Sequence, residues 1–126
     1  MAFPKMFRVK QELEGPTLHD IPGAVRETMR SLHLQEKVKP GQTVAITSGS
    51  RGVANIDRIT RVVVDELKAL GLQPFVCPTM GSHGEATAEG QLKILAHYGI
   101  TEATMGCPLK SSMEVVEIGK VKGTTV

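Results

Sequence analysis

The chain of 126 residues is about the length of one domain and is long enough to bury a core. Its 15 basic and 13 acidic residues leave a formal net charge of +2, which does not indicate nucleic acid or an acidic substrate as a partner. Aromatic residues make up only 3% of the chain and tryptophan is absent, so we expect no base-stacking surface for nucleic acid.

The start of the chain and the two cysteines indicate a cytoplasmic protein. The opening stretch MAFPKMFRVKQELEG has no apolar core and no small-residue cleavage site, so no signal peptide is predicted. No apolar run approaches the roughly 20 residues that a membrane-spanning helix needs, and no membrane partner is expected. Cys77 and Cys107 lack CxxC spacing and are expected to be reduced thiols.

The first predicted elements are a strand and a helix. Residues 7–12 alternate between apolar and polar side chains, which predicts an edge strand. Asp20 is a candidate N-cap for a helix that tolerates Pro22 in its first turn. The apolar residues on one face of this helix are Val25, Met29 and Leu32. Pro40 and Gly41 predict a turn after it.

A second strand and the clearest helix follow. Residues 43–47, TVAIT, are short, apolar and β-branched, as in a buried strand. The next helix is expected between an N-cap at Asn55 and a C′ glycine at Gly71. Asp57 and Arg61 are spaced for an i,i+4 ion pair. The predicted apolar face consists of Ile56, Ile59, Val63, Leu67 and Leu70, with Ile59, Val63 and Leu67 buried.

A further strand and helix complete the regular pattern. Residues 73–79, QPFVCPT, predict a second buried strand, with Pro74 at its start. Thr87 can cap a third helix that ends at Gly99. The residues expected to point inward from this helix are Leu92, Leu95 and Ala96.

The order of these elements predicts the fold class. Strand, helix, strand, helix is typical of a βαβ unit, and therefore of a Rossmann-like α/β fold with a parallel sheet. The tail adds two strand-like runs, MEVVEI and VKGTTV, which predict a C-terminal strand pair or hairpin. No internal repeat, low-complexity segment or linker divides the sequence, so residues 1–126 are expected to form a single α/β domain.

Two glycine-containing loops follow the two predicted strands of the βαβ unit. The first strand leads into SGSRG, residues 48–52, and the second into MGSHG, residues 80–84. Both strands of such a unit end at the same edge of the sheet. Ligands of open α/β sheets bind outside that carboxyl edge. We therefore expect Arg51 and His83 to face one crevice.

The residue types in these loops suit a small anionic ligand and a proton transfer. His83 can take or release a proton near neutral pH, as a catalytic acid/base residue must. Arg51 can bind a carboxylate or phosphate through two parallel hydrogen bonds. Glycines let the backbone approach a ligand closely. The residues predicted to bind substrate or cofactor beside Arg51 are Ser50, Gly52, Gly81, Ser82 and Gly84.

The spacing of these residues leaves other interpretations open. His83 fits a loop histidine bonded to nearby backbone about as well as a catalytic one, and Arg51 fits a surface arginine in a turn. No G-K-[ST] follows the first loop, so it is not a P-loop. No two of the four histidines have metal-ligand spacing, so no metal site is predicted. The three assigned no function are His19, His33 and His97.

Three stretches together resemble the N-terminal part of the nickel-pincer-nucleotide-dependent lactate racemase family, nearest to its racemase-like branch. They are SGSRGVANID, PTMGSHGEATAEGQ and YGITEATMGCPLKSSMEVVEIG. The resemblance covers the chain from about Pro40 to the end. The first loop departs from the acidic pair and Thr-Arg-Pro step of lactate racemases, because it reads Ser48, Gly49, Ser50, Arg51, Gly52. The resemblance therefore leaves the particular 2-hydroxy acid open.

The resemblance implies an enzyme that inverts the C2 centre of a 2-hydroxy acid with a nickel-bearing pyridinium mononucleotide as its cofactor. In the implied mechanism, a histidine removes the hydroxyl proton while hydride moves from C2 to the pyridinium ring, and the 2-keto acid is then reduced from the opposite face. His83 matches the family's acid/base histidine, and Arg51 matches an arginine that helps to hold substrate or cofactor.

The resemblance also implies that the parent enzyme needs more sequence than this chain. The cofactor-bearing lysine, the nickel-binding histidine and the second acid/base histidine are expected beyond residue 126, so this chain alone should retain no cofactor and show no turnover. Its expected partners are a small 2-hydroxy acid and the remainder of the parent chain, and a homo-oligomer stays open. Two alternatives from other classes are a small anion- or nucleotide-binding module without catalysis, and a structural or interaction domain.

Overall fold

The computed structural model describes residues 5–122 and 124–125. The helices are α1 (Ile21–Ser31), α2 (Ile56–Ala69), α3 (Ala88–His97) and α4 (Glu102–Met105). The strands are β1 (Thr43–Ser48), β2 (Gln73–Pro78), β3 (Lys120–Val121) and β4 (Thr124–Thr125). Short 3₁₀ turns occupy Leu34–Glu36 and Gly84–Ala86. The fold is therefore mixed α/β.

The centre of the fold is a parallel pair of strands joined by a helix. β1 and β2 pair in parallel from Thr43 opposite Gln73 to Ser48 opposite Pro78. An isolated parallel bridge joins Val76 to Leu109 on the other side of β2. β3 and β4 form a separate antiparallel pair, so a C-terminal strand pair is present, with two residues in each strand. The predicted parallel βαβ order is confirmed.

The core lies where α2, α3 and α4 meet the inner face of β2. Its fully buried side chains are Leu95, Ile100, Met105, Val64 and Val76. Met80 and Cys107 complete this cluster. Apolar burial of this kind stabilises by about 25 cal/mol per Å² removed from water, so these side chains hold the helices against the sheet.

The caps of α1 and α3 follow the predicted chemistry. The Asp20 carboxylate accepts a hydrogen bond from the Gly23 amide at 2.9 Å. The Thr87 hydroxyl accepts one from the Gly90 amide at 3.0 Å. A side-chain oxygen at the N-cap satisfies amides that have no partner inside the helix, which is why these two helices begin where they do. The turn at Pro40 and Gly41 is also present.

The inner face of α2 differs from the predicted one. Of Ile59, Val63 and Leu67, only Leu67 is buried. The other buried residues of this helix are Thr60, Val62 and Val64. The helix contacts α1, β2 and α4, so its buried surface is wider than a single stripe. Two of its buried positions, Thr60 and Val64, each lie one residue after a predicted one, Ile59 and Val63. A helical period alone does not distinguish these two neighbouring faces.

Local contacts of α2 also correct two predictions. Arg61 pairs with Asp65 at 3.0 Å rather than with Asp57. Its guanidinium also donates to the Thr104 carbonyl at 2.8 Å, which draws it toward α4. Asn55 stands at the N-cap as expected, but its backbone is left-handed with φ 58° and its side chain makes no capping hydrogen bond.

Four predicted strand or core assignments are wrong. Residues 7–12 and the run MEVVEI at 113–118 lie outside any strand and are exposed, because neither pairs with a sheet edge within the residues that the structure describes. β1 is not buried on both faces: Thr43, Ala45 and Thr47 are exposed, and it is Ile46 on the other face that packs against the core. Ala96 of α3 is exposed, whereas Leu95 is buried.

Candidate functional site

The parallel pairing brings the two glycine-containing loops to one edge of the sheet. Ser48 lies opposite Pro78 at the carboxyl ends of β1 and β2. The Thr79 amide donates to the Ser48 carbonyl at 2.8 Å, which continues the ladder one step past the strands. Both loops therefore leave the sheet together, as their positions after parallel strands predict.

A direct contact joins the two loops. The Ser50 hydroxyl oxygen lies 2.5 Å from Nδ1 of His83. This is a short hydrogen bond whose donor depends on the tautomer of the imidazole. The contact leaves Nε2 as the ring nitrogen of His83 that is not engaged by Ser50. The sequence placed these residues at one edge, and the structure brings them into contact.

Helix α3 holds both loops in place. Buried Gln91, only 5% exposed, donates from its side-chain amide to the Gly81 carbonyl at 2.8 Å. The hydroxyl of Tyr98 donates to the Ser50 carbonyl at 3.0 Å. Between them, Leu95 is fully buried in the core. Because residues about two turns apart share one face of a helix, one face of α3 supports both loops.

A cleft opens beside the Ser50–His83 contact. Its cavity volume is about 350 Å³, and its walls are formed by Ser50, His83, Lys93, Ile94, His97 and Tyr98. The rings of His97 and Tyr98 meet edge to face, with centroids 5.8 Å apart. Lys93 is paired with Glu89 at 2.8 Å on the exposed side of α3. The cleft thus combines an apolar wall with imidazole, hydroxyl and ammonium groups, as small-ligand sites commonly do.

The other predicted binding residues fall into three groups. Arg51 and Ser82 are exposed, and Arg51 has no ion pair or side-chain hydrogen bond among the residues that the structure describes. Gly52 and Gly81 have left-handed backbones with open space at the Cβ position. Gly84 instead packs on α3: a Cβ there would lie 2.5 Å from the backbone nitrogen of Gln91. Gly84 therefore has a packing role.

Four polar residues of the site were not predicted from the sequence: Gln91, Lys93, His97 and Tyr98. His97 in particular had been assigned no function. A usable signal was present, since Gln91 and Tyr98 share the helix face of Leu95. A polar residue on a core face needs a hydrogen-bond partner, and for these two residues the partner is a loop carbonyl.

Other polar groups lie outside this site. Burial raises the pKa of the Cys107 thiol, against the opposing effect of nearby Lys68. Within residues 5–122 and 124–125, no three His, Cys, Asp or Glu side chains are grouped so that they could hold a metal ion. Nor does any helix in this part of the chain have both the length and the apolar character to cross a membrane.

Comparison of the chain with protein-family models, with curated proteins and with solved structures finds no match. The functional inference therefore rests on the geometry of the loops and on the residues that carry the resemblance given above. The two loops that carry the resemblance are joined through Ser50 and His83.

Proposed function

We propose that this chain is the N-terminal part of a nickel-pincer-cofactor-dependent racemase or epimerase acting on a small 2-hydroxy acid. The observation that carries the proposal is the contact of Ser50 with His83 beside a cleft at the carboxyl edge of the sheet. Ligands of Rossmann-like α/β folds bind at such an edge. The racemase-like strings SGSRG and MGSHG supply the residues on both sides of that contact.

His83 is the proposed acid/base residue. Its imidazole is exposed at the mouth of the cleft and has one ring nitrogen outside the contact with Ser50. In the forward step, His83 takes the hydroxyl proton of the substrate, the C2–H bond breaks with its electron pair, and the C–O bond becomes a carbonyl. The hydride would pass to the cofactor and return to the opposite face of the planar C2, and a proton would return to the oxygen, which gives the opposite enantiomer. Proton transfer by a positioned side chain typically contributes 10²- to 10⁴-fold.

The nickel-pincer mononucleotide would supply the hydride acceptor for this chemistry. The first loop is suited to bind an anionic group of the cofactor or the substrate. Arg51 is exposed there without an internal partner among the described residues, and a Cβ at Gly49 or Gly52 would have no neighbour within 4 Å. Arg51 and the backbone of this loop would bind the phosphate or the substrate carboxylate. The lysine and histidine that hold the metal-bearing ring would come from the remainder of the parent chain.

The proposal is tested with the full-length parent protein, purified with its cofactor. Enantiopure 2-hydroxy acids are incubated with it, and the loss of optical purity is followed by chiral chromatography together with the nickel content. Inversion that depends on bound nickel supports the proposal. The isolated 126-residue chain serves as a control and should show no turnover.

A different result would support the alternative from another class. If the full-length protein binds inorganic phosphate at the first loop but carries no nickel and inverts none of the acids, the chain is an anion-binding module. Arg51→Gln should then abolish phosphate binding, and His83→Gln should leave it unchanged.

A further inference from the structure

The hydroxyl of Ser50 already has a partner within the protein, on the other loop. Its oxygen lies 2.5 Å from Nδ1 of His83. The sequence alone predicted that Ser50 would bind substrate or cofactor. A hydroxyl that is already engaged at hydrogen-bond distance by an imidazole is better placed to orient that ring than to hold a ligand.

The contact limits which nitrogen of His83 can act as a base. A neutral imidazole carries its proton on one nitrogen and its lone pair on the other, and the hydrogen bond at one nitrogen determines the state of the other. Nδ1 is covered by Ser50, so a ligand in the cleft can exchange a proton only with Nε2. For Nε2 to accept a proton, Nδ1 must carry one, and the Nδ1–H group then donates to the Ser50 oxygen.

Ser50 is itself held by α3. The hydroxyl of Tyr98 donates to the Ser50 carbonyl at 3.0 Å, and Gln91 fixes the opposite loop through the Gly81 carbonyl at 2.8 Å. Leu95 anchors this face of α3 in the core. The distance between Ser50 and His83 is therefore set by one rigid element that contacts both loops.

We propose that Ser50 is a positioning residue that keeps His83 protonated at Nδ1 and leaves Nε2 as the proton-accepting atom, with Tyr98 holding Ser50 in place. The direction of proton transfer rests on the proposed acid/base role of His83. The tautomer is a property of the chain itself and can be measured without substrate or cofactor.

The first test is the tautomer of His83 in the full chain, read from the ¹⁵N shifts and long-range ¹H–¹⁵N couplings of its imidazole at alkaline pH, where neutral imidazole predominates. The wild-type chain is expected to show protonated Nδ1. Ser50→Ala should shift the ring toward the Nε2-protonated form, and Ser50→Thr, which retains a hydroxyl, should restore the wild-type spectrum. Ser112→Ala removes an exposed hydroxyl from the tail and should change nothing.

Tyr98→Phe keeps the aromatic ring in the wall of the cleft and removes only the hydroxyl that donates to Ser50. It should produce a mixture of the two tautomers. Protonated Nε2 in the wild-type chain would overturn the proposal, even if a variant fails to fold, because that measurement needs no substitution. An unchanged spectrum in folded Ser50→Ala would overturn it as well.

A kinetic test separates this inference from the proposed reaction. In the full-length enzyme, Ser50→Ala should lower kcat about 10- to 100-fold, as loss of an orienting partner does for metal-bound histidines, with KM nearly unchanged and with rescue by Ser50→Thr. A rise in KM alone would mean that Ser50 binds substrate, which contradicts the positioning role. If the tautomer behaves as expected but no 2-hydroxy acid is inverted, the proposed reaction fails while the effect of Ser50 on His83 stands.

Discussion

Both ends of the parallel sheet have cationic side chains, but these side chains differ in whether they already have partners within the protein. At the amino end, a cavity of about 370 Å³ is lined by the starts of β1 and β2. Its cations are engaged within the protein: Lys68 donates to the Gly106 carbonyl, and the Lys110 ammonium lies 4.5 Å from the centroid of the Phe75 ring. At the carboxyl end, Lys93 of the cleft is also paired, with Glu89, but Arg51 is exposed without an ion pair or side-chain hydrogen bond among the described residues, and His83 has one ring nitrogen outside its contact with Ser50.

This difference indicates where a ligand can bind. A cation that already has a carbonyl or an aromatic partner loses that contact when it turns toward a ligand, so little is gained. Polar groups that are rigidly positioned without a partner can bind without such a loss. The volumes of the two cavities are similar, so cavity size does not distinguish the two ends. The two ends differ in whether their polar groups already have partners within the protein, and this difference favours ligand binding at the carboxyl end.

The largest expected effect is on activity at the carboxyl end. In the full-length enzyme, His83→Ala should lower the rate of racemisation about 10²- to 10⁴-fold, because it removes the proposed acid/base group, and it should leave nickel content and unfolding temperature nearly unchanged. Lys110→Ala, at the amino end, should keep the wild-type rate. Wild-type activity in His83→Ala would return His83 to the interpretation of an ordinary loop histidine.

Truncating a core side chain near either end of the sheet should lower stability by a similar amount, but only one of the two changes should affect the site. Leu95, on the helix that supports both loops, and Leu67, on α2, are both buried. Replacing either by alanine should lower the free energy of unfolding by about 2 to 5 kcal/mol, measured in urea. Only Leu95→Ala should also disturb the His83 imidazole in NMR spectra. A loss under half a kcal/mol for either variant would mean that its side chain is not in the core.

Alanine substitutions at two glycines of the loops distinguish the cost of backbone strain from the cost of a steric collision. Gly52 and Gly84 both have left-handed φ, 64° and 65°, but only Gly84 packs against α3. Alanine at Gly52 should cost about 1 to 2 kcal/mol for the left-handed backbone alone. Gly84→Ala should cost more, because its Cβ would collide with the backbone of Gly90 and Gln91. Equal losses in urea unfolding would show that the contact of the second loop with α3 is not tight.

The smallest effect concerns the relative reactivity of the two cysteines. Burial raises the pKa of the Cys107 thiol, so less thiolate is present at neutral pH than for an ordinary cysteine. Cys77 is only partly buried. Iodoacetamide should therefore modify Cys77 first, and modification of Cys107 should accelerate only as the pH rises above the usual range for a thiol. Peptide mass spectrometry can follow both sites, and faster labelling of Cys107 at neutral pH would contradict its burial.

Features that depend on neighbouring residues were predictable from the sequence. Short patterns of side chains predict the caps at Asp20 and Thr87 and the parallel βαβ order. The capping box of α4, in which Thr101 and Thr104 bond each other's backbone, follows a comparable short pattern. Apolar alternation at residues 7–12 did not produce a strand, since a strand also needs a partner edge, and short sequence patterns do not contain that information.

The candidate site was predictable in part for the same reason. Topology alone places the loops of Ser50 and His83 at one edge of the sheet. The roles of Gln91 and Tyr98 depend on how α3 is rotated against the loops, which is decided by the packing of Leu95 in the core. Such long-range contacts have no spacing rule that could be read along the chain.

The most direct test of the central claim uses a 2-hydroxy acid carrying deuterium at C2. The full-length enzyme with its cofactor is given one enantiomer in ordinary water, and the product is analysed for chirality and deuterium. Inversion with the deuterium retained at C2 is expected, because the hydride would leave C2 and return to it while His83 would exchange only the hydroxyl proton. Inversion with loss of deuterium to solvent, or no inversion at all, would contradict the central claim.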